Sequence, residues 1–221
     1  SKYVRVEQIK QIPFLEFFHT IPLLSYVRFA KWEEILSYKK PIDEFKFSLG
    51  LYHYARSIAF ASTGDVIGAI SEQEKILPLK DADEIKVIIK AGQPSDKLLE
   101  ISHFLALGQI ELARNNYLKA IDNFNVAVGI QDALPYREPE FWYYPTRQSL
   151  GHALMLNKNF EEAVKGFNKD LENYPRNGWS FYGLHKAHQS LENKNQSQDA
   201  LDKFKEIWQF SDVELQSSVI Y

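Results

Sequence analysis

The chain contains no cysteine in 221 residues. That excludes disulfides, thiolate zinc sites and a cysteine nucleophile. Glycine and proline are sparse, at 10 and 9 residues, so the sequence is neither a collagen-like nor a low-complexity polymer. No apolar run approaches the roughly 20 residues that a membrane-spanning helix needs, and no secretory leader is visible. An excess of one sign of charge is missing too. With 26 Lys and Arg against 29 Asp and Glu, the net charge is −3. That balance gives no electrostatic case for nucleic acid or an anionic membrane. Catalytic motifs are absent as well: there is no G-x-S-x-G elbow, no phosphate loop and no glycine-rich dinucleotide turn.

What the chain does have is 45% hydrophobic and 14% aromatic residues, enough for a substantial core. It also has a period. The stretches "NNYLKAIDNF" (115–124) and "NKNFEEAVKGF" (157–167) each place an aromatic three residues before an alanine and a phenylalanine four residues after it. Ala120 with Phe124 and Ala163 with Phe167 carry the figure, and it recurs as Ala200 with Phe204. Weaker echoes centre on Ala69 and on Ile35 in "KWEEIL". From Ile35 to Ala69 is 34 residues (69 − 35), and the following steps are 51, 43 and 37 (120 − 69, 163 − 120, 200 − 163). The excesses over 34 read as insertions between whole units.

The fourth unit has Leu150-Gly151, Leu154, Ala163, Phe167 and Pro175; the third has Leu107-Gly108, Ala120 and Phe124. These residues resemble the tetratricopeptide repeat, a 34-residue helix–turn–helix unit. The fold expected is all-α: a right-handed α-solenoid of about five repeats, near 16–49, 50–83, 101–134, 144–177 and 181–214, with insertions at 84–100 and 135–143, the whole forming one solenoid over 1–221. Helices are predicted near 22–37, 44–63, 65–77, 96–112, 116–130, 144–157, 159–173, 178–193 and 197–209, with a short one at 81–90. Gly64, Asn115, Lys158 and Asn195 fall at the turns inside the hairpins. The segment "QIPFLEFFHTIP" is predicted to be helical to His19 and to leave Phe14, Phe17 and Phe18 exposed. Together with the start at Ser1 and a single Met155, this reads as a fragment preceded by further repeats.

Four longer stretches, "VRFAKWEEIL" (27–36), "LYHYARSIAFASTG" (51–64), "EPEFWYYPTRQSLG" (138–151) and "YPRNGWSFYGL" (174–184), resemble the carboxy-terminal halves of bacterial tetratricopeptide proteins. The resemblance implies a bacterial scaffold, cytoplasmic or exported to the periplasm. It supplies no catalytic residue and no cofactor.

Stepping along the first helices of successive units gives a concave face with Tyr54, Ile58, Gln109, Gln148, His152, Tyr182 and His185 as candidate partner-binding residues. The connector adds Trp142 and Tyr143, and Arg147 stands where the repeat pattern expects a packing tryptophan. Lys and Arg are missing from the positions that grip a terminal carboxylate in the clamp type of these repeats; Leu105, Gln109, Gln148 and His152 occupy them. His185 and His188 are three apart on one helix but diverge, so no metal ligand set is assigned. Acidic pairs such as Glu161-Glu162 open second helices, where they favour the positive helix end. The function expected is non-enzymatic: a protein-interaction scaffold that takes a peptide or partner protein. The competing readings are self-association through the apolar segment 12–29 and a small-molecule or metal sensor in the groove.

Overall fold

In the computed structural model, which describes residues 6–219, five residues with left-handed backbone mark five helical hairpins. They are Ala30 (φ 51°), Gly64 (φ 89°), Asn115 (φ 59°), Lys158 (φ 62°) and Glu192 (φ 59°). At each one the following amide donates back to the last turn of the preceding helix: Lys31 to Tyr26, Asp65 to Phe60, Asn116 to Glu111, Asn159 to Leu154 and Asn193 to His188, at 2.8–2.9 Å. This pair of features is the Schellman termination, which satisfies helix-end carbonyls and reverses the chain. Only one of the five is glycine. A side chain in this region costs roughly 1–2 kcal/mol. Ala30→Gly is therefore expected to stabilise the chain by about 1 kcal/mol, and Gly64→Ala to cost a similar amount. Urea unfolding followed by circular dichroism reads both.

The hairpins are α2 (Leu15–Arg28) with α3 (Trp32–Leu36), α4 (Lys46–Ser62) with α5 (Val66–Gln73), and α7 (Ser95–Ala113) with α8 (Tyr117–Asp132). After them come α9 (Arg147–Leu156) with α10 (Phe160–Asn173) and α11 (Gly178–Ser190) with α12 (Lys194–Trp208). A short helix α1 (Val6–Gln11) precedes them, and a 3₁₀ turn (Leu77–Leu79) and α6 (Asp83–Lys90) fill the first insertion. No strand occurs among the described residues. Residues 1–5 and 220–221 of the expected single unit lie outside them. Each second helix packs on its own first helix, and each but the last also on the first helix of the next hairpin, as in α3 on α4, α5 on α7, α8 on α9 and α10 on α11.

Small residues set the spacing. Ile35, Ala69, Ala120 and Ala163 are each fully buried at the equivalent position of the second helix. Gly108 lies against Phe124, where an added methyl group would stand 2.2 Å from the ring. The Phe167 ring is held between Gly151 of its own hairpin and Gly183 of the next, each leaving no room for a methyl group (2.4 Å).

Four expectations need correction. The helix expected over 22–37 is two helices, broken at Ala30. The fifth hairpin turns at Glu192 rather than Asn195, so the last step is 34 residues (192 − 158), which puts buried Ser197 at the position equivalent to Ala163, with Ala200 also buried one turn later. Helix α9 starts at Arg147, three residues later than expected, after Gln131 has bound both the amide (2.8 Å) and the hydroxyl (2.7 Å) of Thr146. At the other end, Phe17 stacks on Phe47 and Phe14 is half-buried, while Ile12, Phe18, Ile21 and Phe29 are exposed. Among the described residues no helix is long and apolar enough to cross a membrane.

Candidate functional site

The first helices bring the four quoted stretches together. Arg28, the last residue of α2, lays its guanidinium 3.8 Å over the Trp179 ring of α11 and 5.1 Å over Tyr144. Tyr54 of α4 shares a hydroxyl–hydroxyl hydrogen bond of 2.9 Å with Tyr143 and meets Trp142 edge-on at 5.5 Å between centroids. Trp142, Tyr143 and Tyr144 contact one another in turn at 5.1 and 4.8 Å. First hairpin, second hairpin, connector and fifth hairpin thus meet on one aromatic cluster, with a guanidinium over its faces. A small residual cavity beside it is bordered by Val27, Tyr54, Ile58, Leu105, Tyr143 and Val219.

The connector reaches this position because both of its ends are fastened. Arg137 donates to Gln93 (2.7 Å) and covers the Phe141 ring, while Arg147 pairs with Asp132 at the end of α8 (2.6 Å). Between these anchors Phe141 and Trp142 are driven inward, to 6% and 2% exposure.

The predicted site residues divide into three groups. Tyr54, Ile58, Trp142 and Tyr143 belong to the central cluster or its cavity, with Tyr54 and Ile58 buried. Gln109 and Gln148 are also buried. The Gln109 amide donates to Ser62 (3.1 Å) while its oxygen has no partner, and neither amide atom of Gln148 has one. Half-buried His152 is held neutral by burial, its pKa pushed down to about 4.

Tyr182 and His185 are not part of that cluster. Tyr182 packs on Phe204 of α12 (5.1 Å), and His185 Nδ1 is 3.0 Å from the Ser197 hydroxyl, so both serve the last hairpin. Arg147 lines a different, polar cleft of about 600 Å³ with Asp132, Glu140, Lys169 and Tyr174. Two pairs of charges meet there, Arg147 with Asp132 and Lys169 with Glu172. Among the described residues no group of three His, Asp or Glu is placed to hold a metal.

Sequence reading did not single out Arg28, Tyr144, Trp179 or the segment after α12. Arg28 and Trp179 stood inside quoted stretches, but nothing in their spacing shows that the two ends of the array touch. The late segment, "SDVELQSSV" (211–219), had one legible signal: Val213, Leu215 and Val219 at even spacing. It folds back, burying Leu215, Ser218 and Val219. The Ser218 hydroxyl donates to the Gln148 carbonyl (2.9 Å).

A second network, between α4, α5 and α7, is structural. His53 Nδ1 donates to Glu72 (2.6 Å), Arg56 donates to both Glu72 (3.2 Å) and the Leu36 carbonyl (3.0 Å), and Gln73 meets His103 (2.7 Å). Burial would raise Glu72, but His53, Arg56 and Lys75 outweigh it and hold the carboxyl at about 2.

No protein-family model matches the sequence, and no curated protein does. Two solved structures resemble the fold. Both are described as "Podosopora anserina putative kinesin light chain nearly identical TPR-like repeats", one of them a form carrying a single substitution. The substituted form is 15% identical, with a TM-score of 0.52 over 84% of this chain and 91% of that one. The other is 16% identical, with a TM-score of 0.52 over 86% and 94%. At that identity the likeness concerns the fold, and this chain is a tetratricopeptide-like α-solenoid.

Proposed function

We propose that this tetratricopeptide-like solenoid is a non-enzymatic scaffold whose concave face, built by α2, α4, α7, α9 and α11, takes an extended segment of a partner protein. Solenoids of this type present preformed surfaces and commonly act through protein contacts. The observation that carries the reading is the aromatic cluster of Tyr54, Trp142, Tyr143 and Tyr144, with the buried, unpaired carboxamide of Gln148 on the same run of first helices. Aromatic rings are the usual anchors of binding energy. An unpaired buried amide costs about 1–3 kcal/mol, which a ligand main chain offering one N–H and one C=O would recover.

A random dodecapeptide display library panned against the whole chain tests the idea. Enriched peptides should bind in solution, and Gln148→Leu should weaken them at least tenfold, worth about 1.4 kcal/mol. Tyr54→Phe, which removes only the hydroxyl shared with Tyr143, should weaken them less. Tyr182→Ala should matter least, since that ring is turned into the last hairpin. Failure to enrich any peptide, or binding indifferent to Gln148, would refute the assignment.

A further inference from the structure

A cleft of about 300 Å³ opens between α1, the start of α2, the turn before α4, and α6. It shares no lining residue with the cavity beside the aromatic cluster. Ile9, Pro13, Phe45 and Val87 give it apolar walls, and three carboxyls from three elements line it: Glu16, Glu44 and Glu84. Glu44 and Glu84 are exposed, at the rim, whereas Glu16 is 97% buried. Carboxyls buried to that degree are normally paired with a cation. Glu16 is not. Its Oε1 accepts the Ser48 amide (2.7 Å), and among the described residues no Lys or Arg pairs with it. The lysine that lines the cleft, Lys10, meets Glu44 instead (3.5 Å), with both side chains exposed. His19 adds no charge near neutral pH: its ring meets Phe45 edge-on at 6.3 Å, and burial holds it below its usual range.

We infer that this cleft is a binding site for a primary ammonium on an unbranched aliphatic stem, carried by a small amine or by a lysine side chain. The site is independent of the concave face proposed above. Its chemistry matches both halves of such a group. The stem lies along Ile9, Pro13, Phe45 and Val87, and the ammonium reaches Glu16 past the two rim carboxyls, which draw it in. The volume suits a slender ligand, being at the small end for ligand clefts. An ammonium is also a compact point charge, whereas a guanidinium is a planar fork. Without a ligand, burial and to a smaller degree Glu84 raise the Glu16 carboxyl to about 7, so a proton takes the place of the counter-ion. Below that pH, binding the ammonium releases this proton to solvent.

Calorimetric titration of the whole chain with 1-aminopentane tests the assignment, with 1-pentanol as the uncharged control. At pH 8 the amine should bind and the alcohol should not compete with it. Affinity should fall at least tenfold from pH 8 to pH 5.5, because the site must first give up its proton. Lys10 of α1, Glu44, Glu84 of α6 and His19 of α2 surround Glu16, and α4 faces it with the uncharged Phe47 and Ser48. Substitution therefore assigns the pH dependence. Glu16→Gln should weaken binding at least tenfold at pH 8 and abolish the dependence. Glu84→Lys changes an exposed residue and should block the cleft with an ammonium of its own, which decides the matter if Glu16→Gln does not fold. 1,5-Diaminopentane and the peptide acetyl-Ala-Ala-Lys-Ala-Ala-amide separate the two sources: tighter binding of the diamine assigns a free amine, and tighter binding of the peptide a partner's lysine. Competition by 1-pentanol as strong as by the amine would overturn the cation site. Binding indifferent to both substitutions, or no saturation at millimolar amine, would overturn the site altogether. None of these results bears on peptides selected against the concave face.

Discussion

Replacing Phe167 by alanine is expected to cost about 3–5 kcal/mol, the range for deleting a fully buried ring. For a chain of this size the melting temperature should fall by roughly 10 °C. The reason is positional. Phe167 is 0% exposed and its ring lies between Gly151 and Gly183, so it fills the space inside the fourth hairpin and between the fourth and fifth hairpins at once. Helices whose nearest residues are glycines cannot close the cavity with side chains of their own. Gly183→Ala attacks the same contact from the other side, placing a methyl group about 2.4 Å from the ring, and should cost about 1–3 kcal/mol by overpacking. The two changes together should cost clearly less than their sum, because the truncated side chain leaves room for the methyl group. Urea unfolding of the single and double variants measures the cycle. Strict additivity, or a loss under about 1 kcal/mol for Phe167→Ala, would show that the fourth and fifth hairpins are not joined through this ring.

Raising the pH from 5 to 8 should withdraw stability on the order of 2–3 kcal/mol through one buried carboxyl, Glu16. Glu16 lies on α2 at 3% exposure and accepts the Ser48 amide at the start of α4 (2.7 Å). Burial raises its pKa from 4.5 to about 7, against the hydrogen bonds from Ser48 and the Phe47 amide, which favour the charged form. Between those two values the folded chain keeps a proton that the unfolded chain has released. Stability from this group is therefore full below pH 4.5 and is lost as pH rises through 7. Asp170 acts in the same direction: burial lifts it from 3.8 to about 6 although Ser180 and Asn177 donate to it. Glu72, held at about 2, contributes above pH 4.5 and loses its effect only below that, so it does not offset the slope between 5 and 8. Glu16→Gln keeps an acceptor for the Ser48 amide and removes the titration. The stability difference between pH 5 and pH 8, read from melting curves, should then shift by a few kcal/mol in favour of pH 8 relative to the wild type. An unchanged slope would mean that Glu16 is not the responsible group.

Much of the architecture was legible because hairpin packing needs small residues at fixed intervals. Ile35, Ala69, Ala120 and Ala163 marked four second helices, and Gly108 and Gly151 marked two first helices. The turns were less legible where the backbone demand and the residue disagree. Gly64 and Asn115 suit a left-handed conformation, whereas Ala30 and Glu192 do not advertise one. At Ala30 the result was one predicted helix instead of two. In "LENKNQ" the asparagines drew the turn to Asn195, and Ala200 with Phe204 then imitated the small-to-aromatic spacing in a false register.

The central cluster was half visible. Tyr54, Ile58, Trp142 and Tyr143 follow from helix phase and from the aromatic run. Arg28 and Trp179 do not, because their contact joins opposite ends of the chain. Tyr182 and His185, expected on the concave face from helix phase, and Arg147, expected from the tryptophan position of the repeat, meet Phe204, Ser197 and Asp132 respectively.

The stacking of Arg28 on Trp179 has a thermodynamic consequence. An open array of repeats behaves as a one-dimensional lattice and melts inward from its ends, because each unit touches only its neighbours. Here the first hairpin touches the fifth, and the connector lies between them. Losing either terminal hairpin exposes the Tyr54–Trp142–Tyr143 cluster as well as a single nearest-neighbour interface. Fraying from the ends is penalised as if the array were a ring, and the five hairpins melt as one cooperative unit.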